Sequence, residues 1–318
     1  MRWERLGLIF DPTQHELPNS CREFAQSPQA LVLPDRVRIY FSTRSTDSSG
    51  KFLSHVAYVE MARDLNTVLG VSRHTVLRLG ALGSFDEHGI FPINVLPVAE
   101  EIWGYTTGWN RRVSVSVDTA IGRVVSRDGG RTFERVGDGP VLGPSLHEPF
   151  LVGDGFVRHI AGTFHMWYIF GTGWKYYAPG SPPERTYKIG HATSGDGVTW
   201  VKEEARQIVS DRLGPEESQA LPTVVRIGSR HHMFFCYRHS FDFRLNPERG
   251  YRIGHAWSDD LFNWTRDDDN PGLTIEAGAW DGQMQCYPHA FELDGHVYLL
   301  YNGNQFGRRG FGAARLVA

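Results

Sequence analysis

The sequence predicts an all-β chain: a five-bladed β-propeller with four antiparallel strands per blade and an N-terminal strand closing the last blade. Three observations point there. A proline-centred apolar strand recurs five times, each copy is followed by a second strand ending in aromatics, and most copies continue into a Ser-x-Asp hairpin. Self-similarity at a steady period of this length marks a repeat architecture in which each unit buries its face against its neighbours. The alternative, a two-sheet sandwich, would require the recurrence to be coincidence.

The first strands are "QSPQALVL" (26–33), "GIFPINVL" (89–96), "SLHEPFLV" (145–152), "QALPTVVR" (219–226) and "CYPHAFEL" (286–293). Aligned on Pro28, Pro92, Pro149, Pro222 and Pro288, they are spaced 64, 57, 73 and 66 residues apart. The second strands are "VRIYFSTRS" (37–45), "IWGYTTGWN" (102–110), "FHMWYIFGTGW" (164–174), "HHMFFCYRHS" (231–240) and "VYLLYNGNQFG" (297–307). The third elements, "AIGRVVSRDGGRTFERV" (120–136), "KIGHATSGDGVTWVKE" (188–203) and "RIGHAWSDDLFNWTRD" (252–267), place polar turn residues before an aromatic that opens a further strand. A degraded copy lies at 55–68. The last unit stops at "FGAARLVA" without its Trp-bearing outer strand, and "RWERLGLIF" at the N-terminus carries that pattern. Strand exchange between the chain ends would remove an exposed edge. The whole chain, 1–318, is therefore expected to be one domain.

Composition narrows the function. A net charge of −3 gives no reason to expect a nucleic-acid partner. Cys21, Cys236 and Cys286 have no metal-type spacing, and their odd number argues against a disulfide framework. The N-terminus has no signal-peptide pattern. No stretch approaches the about 18 uninterrupted apolar residues of a membrane span. A cytoplasmic address without membrane attachment is expected, and the sequence is silent on oligomeric state.

In a propeller, residues at the start of each first strand and the end of each second strand gather at one mouth, the default ligand site. Arg44, Trp109, Trp174, Arg238 and Asn302 end second strands, while Gln285 and Tyr287 precede the last repeat proline. Arginines suit anions and hydroxyls, and indole rings suit the faces of sugars. Acids recur upstream of four repeat prolines: Asp86 with Glu87, Glu148, Glu216 with Glu217, and Asp281. His88 and His147 stand beside two of them. No metal-ligand motif such as HExxH is present. The expected ligand is a small carbohydrate or glycosylated metabolite; no cofactor is required, and the central channel leaves room for a metal ion.

The Glu-Pro of the third repeat and the Ser-x-Asp-Gly-x-x-(Trp/Phe) turns resemble the five-bladed propeller glycosidases and their relatives: the arabinanase/xylosidase group, the invertase/levansucrase group and the mannoside phosphorylases. The resemblance spans the chain at the level of blade pattern. It implies a glycoside hydrolase-like enzyme that cleaves or transfers a glycosyl group, with Glu148 as general acid. The families' other two carboxylates would fall at Ser27 and Phe91, which cannot replace them. Asp11, in "FDPTQH", and Asp86 with Glu87, in "FDEHGIFP", are then the nearest substitutes for the second carboxylate that glycoside cleavage commonly uses, and Glu217 is a further catalytic candidate. Two other activities fit the same mouth. One is a lyase, isomerase or tailoring enzyme using His88, Asp86 and Glu148; the other is non-catalytic sugar binding.

Overall fold

The computed structural model describes residues 1–269 and 273–317. It is nearly all β, as expected. Strand β1 (Trp3–Phe10) comes first, and four runs of four follow. These are β2 (Glu23–Val32), β3 (Val37–Thr46), β4 (Phe52–Met61) and β5 (Val68–Val71); then β6 (Gly89–Val98), β7 (Glu101–Arg111), β8 (Val117–Ser126) and β9 (Glu134–Arg135). The third run is β10 (Val152–Ile160), β11 (Thr163–Lys175), β12 (Glu184–Ser194) and β13 (Val201–Lys202). The fourth is β14 (Glu217–Ile227), β15 (Arg230–His239), β16 (Arg252–Ser258) and β17 (Thr265–Arg266), and β18 (Cys286–Leu293), β19 (His296–Asn302) and β20 (Phe311–Leu316) end the chain. Among the described residues no helix is long and apolar enough to cross a membrane.

Pairing is antiparallel within each run, and β1 joins β20 to complete a four-stranded sheet with β19 and β18. The first two runs merge into one eight-stranded sheet through a single parallel pair, Ser54 with Gly89. The five inner strands touch in cyclic order: β2 with β6, β6 with β10, β10 with β14, β14 with β18, and β18 with β2. The apolar core follows the same cycle. Tyr40 and Val56 of the first unit pack with Ile93 and Phe133 of the second, and Tyr105 and Ile121 with Val157 and Tyr168 of the third. Trp167 packs with Phe235, Phe234 with Leu299, and Phe291 with Phe41, so each unit shares a buried cluster with the next and the fifth with the first. Such sheets have no core of their own, which is why the pattern must repeat to be stable.

The Ser-x-Asp hairpins explain themselves locally. Asp196 accepts from the Val198 and Thr199 amides at 2.8 and 2.7 Å, and Ser194 Oγ accepts from Gly197 N at 2.8 Å. The Asp128 and Asp260 turns repeat this arrangement. Those amides hold the Asp196 carboxyl down at about 2. A tyrosine of the preceding unit then seals the turn: Tyr40 Oη donates to Gly130 O and Tyr105 Oη to Gly197 O.

Each inner strand carries an irregularity at the same place. The ladder skips between Gln26 and Gln29, Ile90 and Ile93, Gly153 and Phe156, Ala220 and Thr223, and Cys286 and His289. Ser27, Asp154, Leu221 and Tyr287 all take positive φ there, between 50 and 58°. A bulge leaves residues out of the ladder, so proline is tolerated at Pro28, Pro92, Pro222 and Pro288. In the third unit the equivalent pair is Asp154-Gly155. This corrects the alignment on Pro149, which lies before the strand. With Gly155 in its place the spacing becomes 64, 63, 67 and 66 residues.

Two histidine pairs bridge middle strands of the third and fourth units: His165 Nδ1 with His191 Nε2 at 3.1 Å and His232 Nδ1 with His255 Nε2 at 3.0 Å. Burial and the partner imidazole push His191 down to about 3 and His232 to about 4. The folded state therefore binds these protons less readily than the unfolded chain, so their contribution is intact above 6.5 and is lost as pH falls toward about 4. We expect the urea midpoint to drop between pH 7 and pH 5, and His191→Asn to flatten that drop. An unchanged midpoint would contradict the assignment.

Candidate active site

A cavity of about 410 Å³ opens beside the bulges of the inner strands. Phe91, Asp154, Leu221 and Tyr287 line it from the inner strands, with Gln26 from the first. The Phe91 and Tyr287 rings meet edge to face at 5.1 Å, and Tyr251 stands 5.6 Å from Tyr287. Arg44, Trp109 and Arg238 reach the cavity from the ends of second strands, Arg185 and Tyr187 from the third.

Asp154 is the single carboxylate lining this cavity among the described residues. It is 6% exposed. Its amide donates to Thr107 Oγ1 at 2.6 Å and its Oδ2 accepts from the Leu221 amide at 3.3 Å, which ties it to both neighbouring units. Burial pushes its carboxyl up to about 7, while the Leu221 amide and the Arg185 charge pull the other way. A buried carboxyl poised near neutrality, at a strained backbone position facing a cavity, has the character of an acid–base group.

The guanidinium groups are set among aromatic rings. Arg238 lies 3.5 Å from the Phe243 ring centroid and donates to Tyr187 Oη at 2.9 Å, and Tyr187 and Tyr251 share a hydroxyl contact at 2.6 Å. Arg44 stands over the Phe24 and Phe52 rings at 4.8 and 5.2 Å. Arg185 donates to Ser116 Oγ at 3.3 Å, and Arg244 pairs with Glu184. No group of three His, Cys, Asp or Glu among the described residues is arranged to hold a metal ion.

Over 322 aligned residues the chain is 32% identical to two proteins of Mycobacterium tuberculosis, Rv1502 (strain H37Rv) and MT1551 (strain CDC 1551), both described as uncharacterized. The alignments cover 99% of this chain and 99% of each relative. The chain belongs to their family. No protein-family model matches it. Among solved structures, a glycoside hydrolase superposes with a TM-score of 0.74 at 17% identity, covering 99% of this chain and 91% of that one. The β-1,2-mannobiose phosphorylase from Listeria innocua, in complex with β-1,2-mannobiose, gives 0.69 at 12% identity with 99% and 97% covered. The endo-arabinase from Bacteroides thetaiotaomicron gives 0.64 at 13% identity with 98% of each chain covered. At these identities the likeness establishes the fold.

In this member of the Rv1502 family, four of the residues singled out from the sequence line the cavity: Arg44, Trp109, Arg238 and Tyr287. The upstream acids go elsewhere. Glu148 is 1% exposed, and its oxygens accept from Tyr168 Oη at 2.8 Å, Lys202 Nζ at 2.7 Å and Ala205 N at 3.0 Å. Asp86 pairs with Arg135; Glu217 takes Arg266 at 2.6 Å and the amides of Arg212 and Leu213; Asp281 takes Arg5 at 3.2 Å. One rule covers all four. A buried acid just ahead of, or at the start of, the inner strand binds a base on the outermost strand of the same sheet: β9, β13, β17 or β1. The first unit lacks this latch, since β5 reads Val-Leu-Gly-Val. Glu148, expected at the mouth, thus shares the place of Asp86 and Asp281, and Asp154 holds the position that Glu148 was aligned to.

The remaining expectations are dispersed. Asp11 caps a short helical turn, accepting from Thr13 N at 2.9 Å. Glu87 accepts from Gly83 N at 3.0 Å; His88 stacks on Trp109 at 6.0 Å, one layer behind the cavity. The His147 amide donates to Glu204, Trp174 stands 5.5 Å from Arg185, Gln285 donates to Asp281, and Asn302 is buried, accepting from Ser27 N at 2.7 Å. Asp154, Arg185, Tyr187, Phe243, Arg244, Tyr251 and Phe306 went unnoticed in the sequence. For Asp154 the signal was there: even spacing of the repeat selects Gly155, not Pro149.

Proposed function

We propose that the chain is a single-domain five-bladed β-propeller, residues 1–318, acting as a carbohydrate-active enzyme of the glycoside hydrolase-like kind, with Asp154 rather than Glu148 handling the proton. The cyclic contacts and shared clusters support the ring, and the company of glycoside hydrolases and phosphorylases supports a sugar ligand. The observation that carries the chemistry is Asp154, the buried carboxyl held near 7 in an aromatic-lined cavity. Protonated, it gives its proton to the leaving oxygen as the glycosidic C–O bond breaks and that bond's electron pair moves to the oxygen. An acceptor oxygen bonds to the anomeric carbon and releases its own proton, and Asp154 is reprotonated from solvent.

The cavity offers no second protein carboxylate among the described residues, whereas paired-carboxylate hydrolysis uses two. That favours transfer to an acceptor that brings its own nucleophilic oxygen. It also sustains a second reading: a single acid–base group serving a lyase, isomerase or tailoring reaction on a sugar-derived metabolite. The pH dependence of kcat/KM separates them. A proton donor gives a rate that falls as pH rises through about 7, the value at which Asp154 ionises; a base gives a rate that rises there. A profile flat across this range removes Asp154 from the chemistry.

A further inference from the structure

We propose that the carbohydrate taken by this cavity carries an oxyanion, a carboxylate or a phosphate, held between Arg44 and Arg238; this rests on the reading of the cavity as a sugar site. Four guanidinium groups line the cavity, Arg44, Arg185, Arg238 and Arg244, against one carboxyl, Asp154, whose ionisation burial opposes. Arg244 is paired with Glu184. Arg185 acts electrostatically on Asp154, and Arg44 and Arg238 form no ion pair among the described residues.

Arg44 is the clearest case. Its guanidinium makes no hydrogen bond or ion pair among the described residues, and its Nε is shut away from solvent. Glu23 faces it across the β2–β3 ladder, yet the Glu23 carboxylate turns to Arg308 at 2.8 and 3.1 Å. Burial pushes the Arg44 group down from the usual arginine range. Arg238 is 1% exposed, donates to a carbonyl and to the Tyr187 hydroxyl beside Tyr251, and leaves its own Nε unpartnered among the described residues. A desolvated charge without a counter-ion is unfavourable unless something else supplies one. Here both side chains line a cavity, and a planar guanidinium matches the two-oxygen edge of a carboxylate or phosphate.

The surrounding rings set the rest of the ligand. Trp109, Phe91, Tyr251 and Phe306 give flat apolar faces beside the cationic rim, which suits a sugar ring with a charged substituent better than a bare anion or a neutral glycan. Neither the histidine pairs nor the four acid–base latches lie in this cavity.

Calorimetric titration of the full chain with three probes tests the proposal: glucuronate, glucose 6-phosphate and uncharged glucose. At least one anionic sugar is expected to bind about tenfold or more tightly than glucose, with affinity falling as salt rises. Arg44→Gln should remove most of that preference, and its far-ultraviolet spectrum and melting transition report whether the fold is intact. Preference for glucuronate assigns the anion as a carboxylate, and preference for glucose 6-phosphate as a phosphate. Equal binding of all three probes, no binding of either anion, or full preference in a folded Arg44→Gln chain overturns it. The Asp154→Asn chain should keep the preference, so loss of turnover without loss of anion binding reports on the catalytic reading alone.

Discussion

Asp154→Asn is expected to slow glycosyl turnover by about 10²- to 10⁴-fold, the range that a positioned proton donor contributes. The loss should depend on the leaving group. A sugar or alkyl alcohol departs poorly without a proton and would show the full effect, whereas a nitrophenolate leaves readily and would show little. Equal losses on both kinds of glycoside would place Asp154 in binding instead. Stability should move the other way. The folded carboxyl is raised to about 7 from 3.8, so folding is fully favoured below 3.8 and is progressively weakened as pH rises to about 7. The ionised form costs on the order of 4 kcal/mol at most, and an amide at this position escapes that cost. Thermal melts should therefore find Asp154→Asn more stable than the parent at pH 8 and near parity at pH 4. A variant that loses both activity and stability at pH 8 would contradict the electrostatic picture. Such a trade between stability and a strained, charged site is general in enzymes.

The repeat was legible because its grammar is local. Ser and Asp close their own turns within four residues, aromatic strands alternate at period two, and an edge left open at "FGAARLVA" calls for a partner that "RWERLGLIF" can supply. Arg44, Trp109 and Arg238 were legible for a related reason: they end second strands, and those strand ends converge on one cavity. The acids were not. What Glu148 or Glu217 does depends on Lys202 or Arg266, about fifty residues away on an outer strand of two residues. No local pattern distinguishes a latch from a catalytic carboxyl. Asp154 hid behind its neighbour. "VGDGF" resembles a turn, and glycine at 155 replaces the proline that marks the other four bulges. Phe243, Tyr251 and Phe306 lie outside or at the margins of strands, where periodicity is silent.

Removing one partner of the Glu148–Lys202 pair should produce the largest loss of stability short of disrupting a core cluster. Lys202 Nζ donates to Glu148 at 2.7 Å and to Gly143 O and Ser145 Oγ at 2.8 Å, so one ammonium ties the outer strand to the loop entering β10. Lys202→Met leaves a carboxylate that is 1% exposed with only Tyr168 Oη and the Ala205 amide as donors. Breaking a buried pair in this way costs about 3–5 kcal/mol, because the remaining charge keeps its desolvation penalty. The double variant Glu148→Leu with Lys202→Met removes both charges and should recover most of that loss in urea denaturation. Non-additivity of this sign is what a direct charge pair predicts. The same two variants decide between the carboxylates. If Glu148 donated the catalytic proton, the double variant would be inactive however well it folded. If Glu148 is a latch and Asp154 the acid, the double variant should turn over within about threefold of the parent at a temperature where both are folded, since no transition-state interaction has been removed.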